Sequence, residues 1–137
     1  MITAVDTSVL LDVFTADARF GRASHAALTR CLREGSLVAC EAVWAEIAAG
    51  FPTQQAMLDD MDRLGVSFEP MDQAAALAAG AAWRRYRAAV GTRRRILADF
   101  LIAAHAETRA DRLLTRDRGF YREQFSGLAV LDPADSP

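Results

Sequence analysis

The sequence predicts an α/β fold in three layers (α/β/α), in which helices cover both faces of a central, mostly parallel sheet of four to five strands. Short apolar segments of strand type alternate along the chain with segments of helical periodicity, and strands joined through helices lie parallel in one sheet. A length of 137 residues with 52% hydrophobic residues fits one domain with a sizeable core. Because no linker, repeat or low-complexity stretch interrupts the pattern, we expect a single domain over residues 1–137.

The elements in the first half of the chain are bounded by residues that cap helices. Asp6, Thr7 and Ser8 follow the first apolar run, and these residue types end a strand and cap the next helix. Gly35 and Gly65 each follow a helical pattern, where glycine is the usual helix terminator. In order, we predict strand Ile2–Val5, helix Val9–Phe14, helix Arg22–Arg33, strand Leu37–Cys40, helix Ala42–Ala49, helix Thr53–Leu64 and strand Val66–Phe68.

The second half begins with a long alanine-rich helix. Asp72 can cap this helix, which ends near Val90 and carries Ala79, Trp83 and Tyr86 at helical spacing. The Gly-Thr pair that follows breaks it. The remaining predicted elements are helix Ile96–Glu107, strand Arg112–Thr115, helix Gly119–Phe125 and strand Ala129–Leu131.

Composition excludes several classes of protein. No apolar run approaches the roughly 18 residues that span a bilayer. Asp6 and Asp12 interrupt the first apolar stretch and no basic residue precedes it, so the start does not resemble a signal peptide and we expect a soluble, cytoplasmic protein. Cys31 and Cys40 belong to no CxxC or Cys/His pattern, which indicates small core residues and not a disulfide or zinc site.

Four acidic residues are placed where a parallel sheet gathers functional groups, beyond the carboxyl ends of its strands. Asp6 directly follows the first strand, and Asp117 follows the fourth at the same edge. Glu46 lies one turn into the helix after the second strand, and Asp99 lies near the start of the helix before the fourth. Asp99 shares a helical stripe with apolar residues, including Ile102, where an ionised carboxylate is costly without a compensating partner.

Each acid also has an ordinary structural explanation. Asp6 and Asp117 can be plain helix caps, Asp99 can be a first-turn residue favoured by the helix dipole, and Glu46 can be solvated. Taken together at one edge, they indicate a cation site, because two carboxylates about 4 Å apart repel by roughly 4 kcal/mol at an effective dielectric of 20. Oxygen ligands favour Mg²⁺ or Mn²⁺, and zinc is disfavoured because no His or Cys is expected to join the four acids. Such ions serve phosphoryl chemistry.

The segments that carry these acids resemble those of PIN-domain ribonucleases, and more narrowly of VapC-type toxins from bacterial toxin–antitoxin pairs. They follow the family's order along nearly the whole chain. The segments are Val5–Asp12, Val43–Ile47, Ile96–Ala104 and Leu113–Phe120.

The resemblance implies a PIN-like fold and an acidic site that binds Mg²⁺ or Mn²⁺ through Asp6, Glu46, Asp99 and Asp117. It implies endonucleolytic cleavage of RNA, a homodimer, and inhibition by a cognate VapB-type antitoxin; messenger, transfer and ribosomal RNA remain open as substrates. A non-catalytic PIN-like module that binds RNA or protein is the alternative.

Several residues near these segments have secondary roles. Ser8 or Thr115 can position a water or a carboxylate, with local capping equally open. Glu41 competes with Glu46, which we prefer because the family places its acid inside that helix. Asp12 is interpreted as a surface or local hydrogen-bonding residue.

Arginine supplies all 16 basic residues, although the net charge of −2 argues against a broad basic surface. Arg93, Arg94 and Arg95 can contact RNA phosphates beside the acids, whereas a solvated face or pairing with acids of an antitoxin is the alternative.

Several aromatic residues and one of the two histidines are expected to pack. His25 and His105 have no His or Cys partner at ligand spacing, and we expect His105 to pack. Trp44, Trp83 and Tyr86 are expected in the core or a dimer interface.

Two other enzyme and signalling classes are disfavoured by single positions. A haloacid-dehalogenase-type phosphatase needs a second Asp two residues after its nucleophile, where Ser8 stands. A receiver domain needs an adjacent acidic pair early in the chain and a late Lys, and this chain has no Lys.

Overall fold

The computed structural model describes residues 1–89 and 95–135 and shows a parallel sheet flanked by helices. The strands are β1 (Ile2–Val5), β2 (Ser36–Ala39), β3 (Val66–Phe68), β4 (Arg112–Leu114) and β5 (Val130–Leu131). The helices are α1 (Thr7–Phe14), α2 (Gly21–Glu34), α3 (Glu41–Ala48), α4 (Gln54–Leu64), α5 (Gln73–Ala89), α6 (Leu97–Arg109) and α7 (Arg118–Gln124).

The five strands are all parallel and lie in the order β3-β2-β1-β4-β5. The chain therefore winds from β1 outward through β2 to β3, and then crosses back to place β4 and β5 on the other side of β1. Val5 pairs with Leu114 in the register of β1 and β4. Because this pair ends both strands, Asp6 and Thr115 follow it side by side at the carboxyl edge, where the direction of winding reverses.

The core contains the buried residues of the strands and the inner faces of the helices. Its largest aromatic cluster surrounds Phe100 of α6, whose ring lies 5.4 Å from the rings of both Tyr86 and Phe120 between centroids. Cys31 and Cys40 are buried free thiols, as the sequence predicts. None of the helices in the described part of the chain combines the length and apolar character needed to cross a membrane.

Most predicted elements agree with the structure to within one to three residues at each end. Two predicted caps are also present: the Asp72 carboxylate accepts a 2.8 Å hydrogen bond from the Ala75 amide, and Gly65 ends α4 with a φ of 78°. The helix expected to end near Val90 is described only as far as Ala89.

The predicted environments of the aromatic and histidine residues are largely confirmed. Tyr86 and His105 are buried, while Trp44 and Trp83 are partly buried and pack against the core. His25 is exposed on α2.

The interpretation of Asp12 as a surface residue is wrong. Its side chain is only 4% exposed because α2 and the loop after β4 cover it. Asp12 does accept hydrogen bonds, but they are not local, because Ser24 and Arg116 lie 12 and 104 positions away in the chain.

Candidate functional site

Asp6 lies at the centre of the acidic residues, at the junction between β1 and α1. It occupies the N-cap position of α1, and its Oδ1 accepts a 2.8 Å hydrogen bond from the Thr7 amide. Its Oδ2 accepts a 2.7 Å hydrogen bond from the Thr115 hydroxyl, which follows β4. Asp6 is therefore both a helix cap and a fixed carboxylate that faces the neighbouring strand's end.

The surroundings of Asp6 disfavour its negative charge. Burial raises the pKa of Asp6 to about 6, and the charge of Asp99 adds to the rise. The hydrogen bonds from Thr115 and the Thr7 amide oppose the rise, because they stabilise the ionised form. The ionised carboxylate in this position is stabilised when a cation approaches it.

Asp99 lies in the first turn of α6 and is half-buried. Its Oδ2 accepts a 3.2 Å hydrogen bond from the Ile96 amide, so it also caps its own helix. Burial raises the pKa of Asp99, and the charge of Asp117 contributes to that rise. The capping role that the sequence left open is therefore present, and the acidic-site role of Asp99 stays a prediction with which it is compatible.

Asp117 lies at the start of α7 and is linked to Asp6 through one hydroxyl group. The Asp117 amide donates a 3.0 Å hydrogen bond to the Thr115 oxygen, whose own proton is donated to Asp6. The Asp117 carboxylate forms an ion pair with Arg95. The structure therefore couples Asp6, Asp99 and Asp117 electrostatically, and Thr115 fixes the spacing of two of them.

Tyr121 belongs to the same cluster, and the sequence analysis missed it. Its side chain is buried, and burial together with the charges of Asp6, Asp99 and Asp117 raises the pKa of its hydroxyl. The phenol therefore remains protonated beside three acids. Tyr121 lies one helical turn after Asp117, and this spacing is the feature of the sequence that could have identified it.

Glu46 is connected to the cluster less directly. It is exposed on α3, and its Oε1 accepts a 2.7 Å hydrogen bond from the Thr7 hydroxyl. Glu41, the competing candidate, accepts hydrogen bonds from the Met71 amide at 3.0 and 3.3 Å, in the loop after β3. Of the two glutamates, Glu46 is the one that contacts the segment following Asp6.

The supporting residues named from the sequence have different surroundings. Thr115 is fully buried and engaged with Asp6 and Asp117. The Ser8 hydroxyl, two positions after Asp6, is buried without a hydrogen-bond partner among the described residues. Of the three arginines proposed to contact RNA, only Arg95 is described; Arg93 and Arg94 lie outside the described residues.

A second polar cluster supports the loop that carries Thr115 and Asp117. Arg116, which lies between them, donates hydrogen bonds of 2.7 and 3.1 Å to the buried Asp12 carboxylate. Ser24 donates another of 2.8 Å to Asp12, and the Arg116 guanidinium lies 4.0 Å from the centre of the Phe20 ring. This cluster joins α1, the start of α2 and the loop after β4.

The donor set of the acidic cluster fits a hard divalent cation, since the described contacts of Asp6, Asp99 and Asp117 offer carboxylate and hydroxyl oxygens and include no His or Cys. Within residues 1–89 and 95–135, however, no three His, Cys, Asp or Glu side chains are arranged to hold a metal ion as they stand. The fit is therefore one of ligand chemistry and charge, with Asp117 engaged by Arg95.

Three solved structures show the same fold. A VapBC2 complex from Rickettsia felis bound to a DNA fragment from its promoter aligns with a TM-score of 0.71 and 15% identity, covering 96% of this chain and 98% of that chain. VapBC-1 from nontypeable Haemophilus influenzae gives a TM-score of 0.71 at 19% identity, covering 98% of this chain and 100% of that one. FitAcB from Neisseria gonorrhoeae aligns with a TM-score of 0.66 at 21% identity, covering 97% of this chain and 98% of that one.

Sequence comparison supplies the family. A search of curated proteins found no match. The PIN domain family, by contrast, matches residues 3–125, which include all four acids predicted from the sequence. With most of its length matched, this chain belongs to the PIN-domain family.

Proposed function

We propose that the protein is a Mg²⁺- or Mn²⁺-dependent endoribonuclease and the toxin of a type II toxin–antitoxin module. The observation that carries this proposal is the coupling of Asp6, Asp99 and Asp117 at the point where the sheet's winding reverses. Carboxylates whose pKa is raised by burial and by a neighbouring acid, as those of Asp6 and Asp99 are, are characteristic of functional sites. The family membership agrees with this, because PIN domains are generally nucleases.

In the proposed site, Asp6 and Asp99 bind the principal metal ion, and Asp117 and Glu46 complete its coordination directly or through water. The bound ion supplies activation of a water for attack and stabilisation of charge on the phosphodiester. Thr115 holds Asp6 in place through its 2.7 Å hydrogen bond, which is the role of an outer-shell ligand partner. One of the carboxylates orients the attacking water.

The partners of the structural relatives extend the proposal. VapBC2 from Rickettsia felis and FitAcB from Neisseria gonorrhoeae are related in fold, and the former is bound to promoter DNA. A structure from Klebsiella pneumoniae, described as a toxin–antitoxin complex, aligns with a TM-score of 0.65 at 20% identity. By analogy we propose a VapB-type antitoxin as partner, a homodimer, and a cytoplasmic site of action. Contact of Arg93, Arg94 and Arg95 with RNA phosphates belongs to the same proposal.

One observation favours the alternative of a non-catalytic PIN-like module that binds RNA or protein. Arg95 already neutralises Asp117, and a permanent ion pair there would keep a metal ligand unavailable. Metal-dependent cleavage of RNA distinguishes the endoribonuclease from the non-catalytic module, because only the former cleaves.

The test is cleavage of total RNA by purified protein with Mg²⁺, Mn²⁺ or a chelator. We expect cleavage only with metal, and we expect Asp6→Asn and Asp99→Asn each to reduce it by more than the roughly 10- to 100-fold cost of losing a supporting residue. Asp59→Asn is the matched control, since Asp59 is an exposed carboxylate on α4 that accepts a hydrogen bond from Gln55. Cleavage that persists equally in chelator and in both variants would contradict the proposal and indicate a contaminating nuclease.

A further inference from the structure

Arg95 is held against the acidic cluster by two contacts. Its guanidinium forms an ion pair with the Asp117 carboxylate and lies 4.2 Å from the centre of the Phe120 ring. Its side chain is only 28% exposed, although it immediately precedes the N-cap residue of α6. In the metal-free protein Arg95 is therefore packed against the site and does not extend into solvent.

The charge of Arg95 acts on more than one acid. Although burial opposes the effect, the Asp117 contact and the charge of Asp99 raise the pKa of Arg95. In turn, Arg95 opposes the rise in the pKa of Asp99. Arg95 thus supplies part of the neutralisation that the clustered carboxylates require.

A metal ion bound by Asp117 needs the same carboxylate that Arg95 occupies. Two cations on one carboxylate repel each other, so binding of one disfavours the other. A guanidinium does not lose its proton in proteins, which means that a change of pH cannot remove this competitor. Because the guanidinium contacts Oδ2 of Asp117, it has to move away for that oxygen to become a metal ligand.

We propose that Arg95 is the internal counter-ion of the acidic cluster in the metal-free protein, and that a divalent cation displaces it from Asp117 on binding. This inference rests on the proposed metal-dependent function and adds a competitor from within the chain. The Phe120 ring gives the displaced guanidinium a remaining contact.

The test is calorimetric titration of Mn²⁺ into the full chain, comparing wild type with Arg95→Gln. We expect Arg95→Gln to bind Mn²⁺ about two- to fivefold more tightly, because partly exposed ion pairs have small net free energies. Arg118→Gln is the control, since it removes the same charge from the residue beside Asp117 but leaves the Arg95 pair intact; Arg118 pairs with Asp135. We expect its affinity to stay near that of wild type.

Arg95→Lys provides a second variant if Arg95→Gln does not fold. It keeps the positive charge but loses the planar group that lies over Phe120, so we expect an affinity between those of wild type and Arg95→Gln. Thermal unfolding with chelator verifies that each variant is folded.

Each outcome of the titration supports or overturns the inference. Equal Mn²⁺ affinity in wild type and Arg95→Gln overturns it, as does an equal gain in Arg118→Gln, which would reflect net charge alone. In both cases metal-dependent cleavage by the wild type would leave the proposed function intact. Binding of Mn²⁺ by none of the variants overturns the inference and the proposed metal dependence together.

Discussion

At the scale of single residues, Asp6 combines three structural features in one side chain. It caps α1, accepts a hydrogen bond from Thr115 and is nearly inaccessible to solvent. The local hydrogen bonds favour the charged form, but burial dominates and raises the pKa to about 6. The folded protein therefore holds a carboxylate whose ionisation opposes folding.

Removing this charge is expected to stabilise the metal-free protein. Folding raises the pKa of Asp6 from 3.8 to about 6. The contribution of Asp6 to the free energy of unfolding is therefore largest below pH 3.8 and is lost as the pH rises to about 6. In chelator, Asp6→Asn should increase the free energy of unfolding at pH 7 by on the order of 1–3 kcal/mol and reduce the loss of stability between pH 4 and 6. Urea unfolding at several pH values measures both effects.

Asp59→Asn again provides the comparison. Because the Asp59 carboxylate is exposed, its substitution should leave the pH profile of stability unchanged. A wild-type and an Asp6→Asn profile of the same shape between pH 4 and 6 would show that folding does not raise the pKa of Asp6.

At the scale of elements, the buried Asp12–Arg116 pair connects α1 to the loop between β4 and α7. The Asp12 side chain is 4% exposed, whereas that of Arg116 is 32% exposed. The two partners therefore differ in what remains after the other is removed. Loss of Arg116 leaves a buried charge, while loss of Asp12 leaves a cation that can reach solvent.

This asymmetry predicts unequal effects of substitution on stability. Arg116→Met should lower the free energy of unfolding by about 3–5 kcal/mol, because it strands a buried carboxylate. Asp12→Asn should cost less, since the amide can still accept hydrogen bonds from Arg116 and Ser24. Denaturant unfolding of both variants provides the measurement.

Arg63→Met tests the same chemistry on the surface, where Arg63 pairs with Asp60 at 75% side-chain exposure. We expect a cost below about 1 kcal/mol there. If Arg116→Met proved as mild as Arg63→Met, the burial of Asp12 would have no energetic consequence.

At the scale of the whole molecule, the aromatic cluster around Phe100 connects helices on one side of the sheet. Phe100 is fully buried and packs against Tyr86 of α5, Phe120 of α7 and Phe125 just beyond it. Asp99 lies on α6, Tyr121 lies on α7 and Asp117 is the N-cap residue of α7, so the aromatic cluster that packs these helices together also positions part of the site. Packing and site geometry are thus linked through one ring.

Phe100→Ala is expected to lower the free energy of unfolding by about 3–5 kcal/mol, as large-to-small substitutions in a well-packed core do. Leu77→Ala on the exposed face of α5 is the matched control, with an expected change within about 0.5 kcal/mol, because Leu77 is 68% exposed. Thermal or urea unfolding measures both. A small effect of Phe100→Ala would mean that the cluster is not part of the cooperative unit.

The sequence predicted the architecture well because its determinants are local. Alternating strand and helix patterns identified all five strands, and cap residues such as Asp6 and Asp72 placed the helix starts. The family match and the structure confirm the PIN-like fold. The four acidic site residues remain predictions, three of which the structure couples to one another.

The features that sequence reasoning missed depend on contacts between distant segments. Asp12 is buried because Arg116 meets it from more than a hundred positions away, and Tyr121 joins the acids only through the packing of α7. Arg95 was interpreted as a phosphate contact, and its pairing with Asp117 depends on where the start of α6 lies relative to that of α7. Such proximity follows from tertiary packing, which periodicity and caps do not encode.

The strand order also bears on how copies of the chain can associate. The two outermost strands, β3 and β5, are only three and two residues long. Unpaired backbone N–H and C=O groups on an exposed edge strand allow other chains to add strands and to aggregate. Very short edge strands present few such groups. For the homodimer and the antitoxin complex proposed above, these short edges favour contacts through helical surfaces over extension of the sheet.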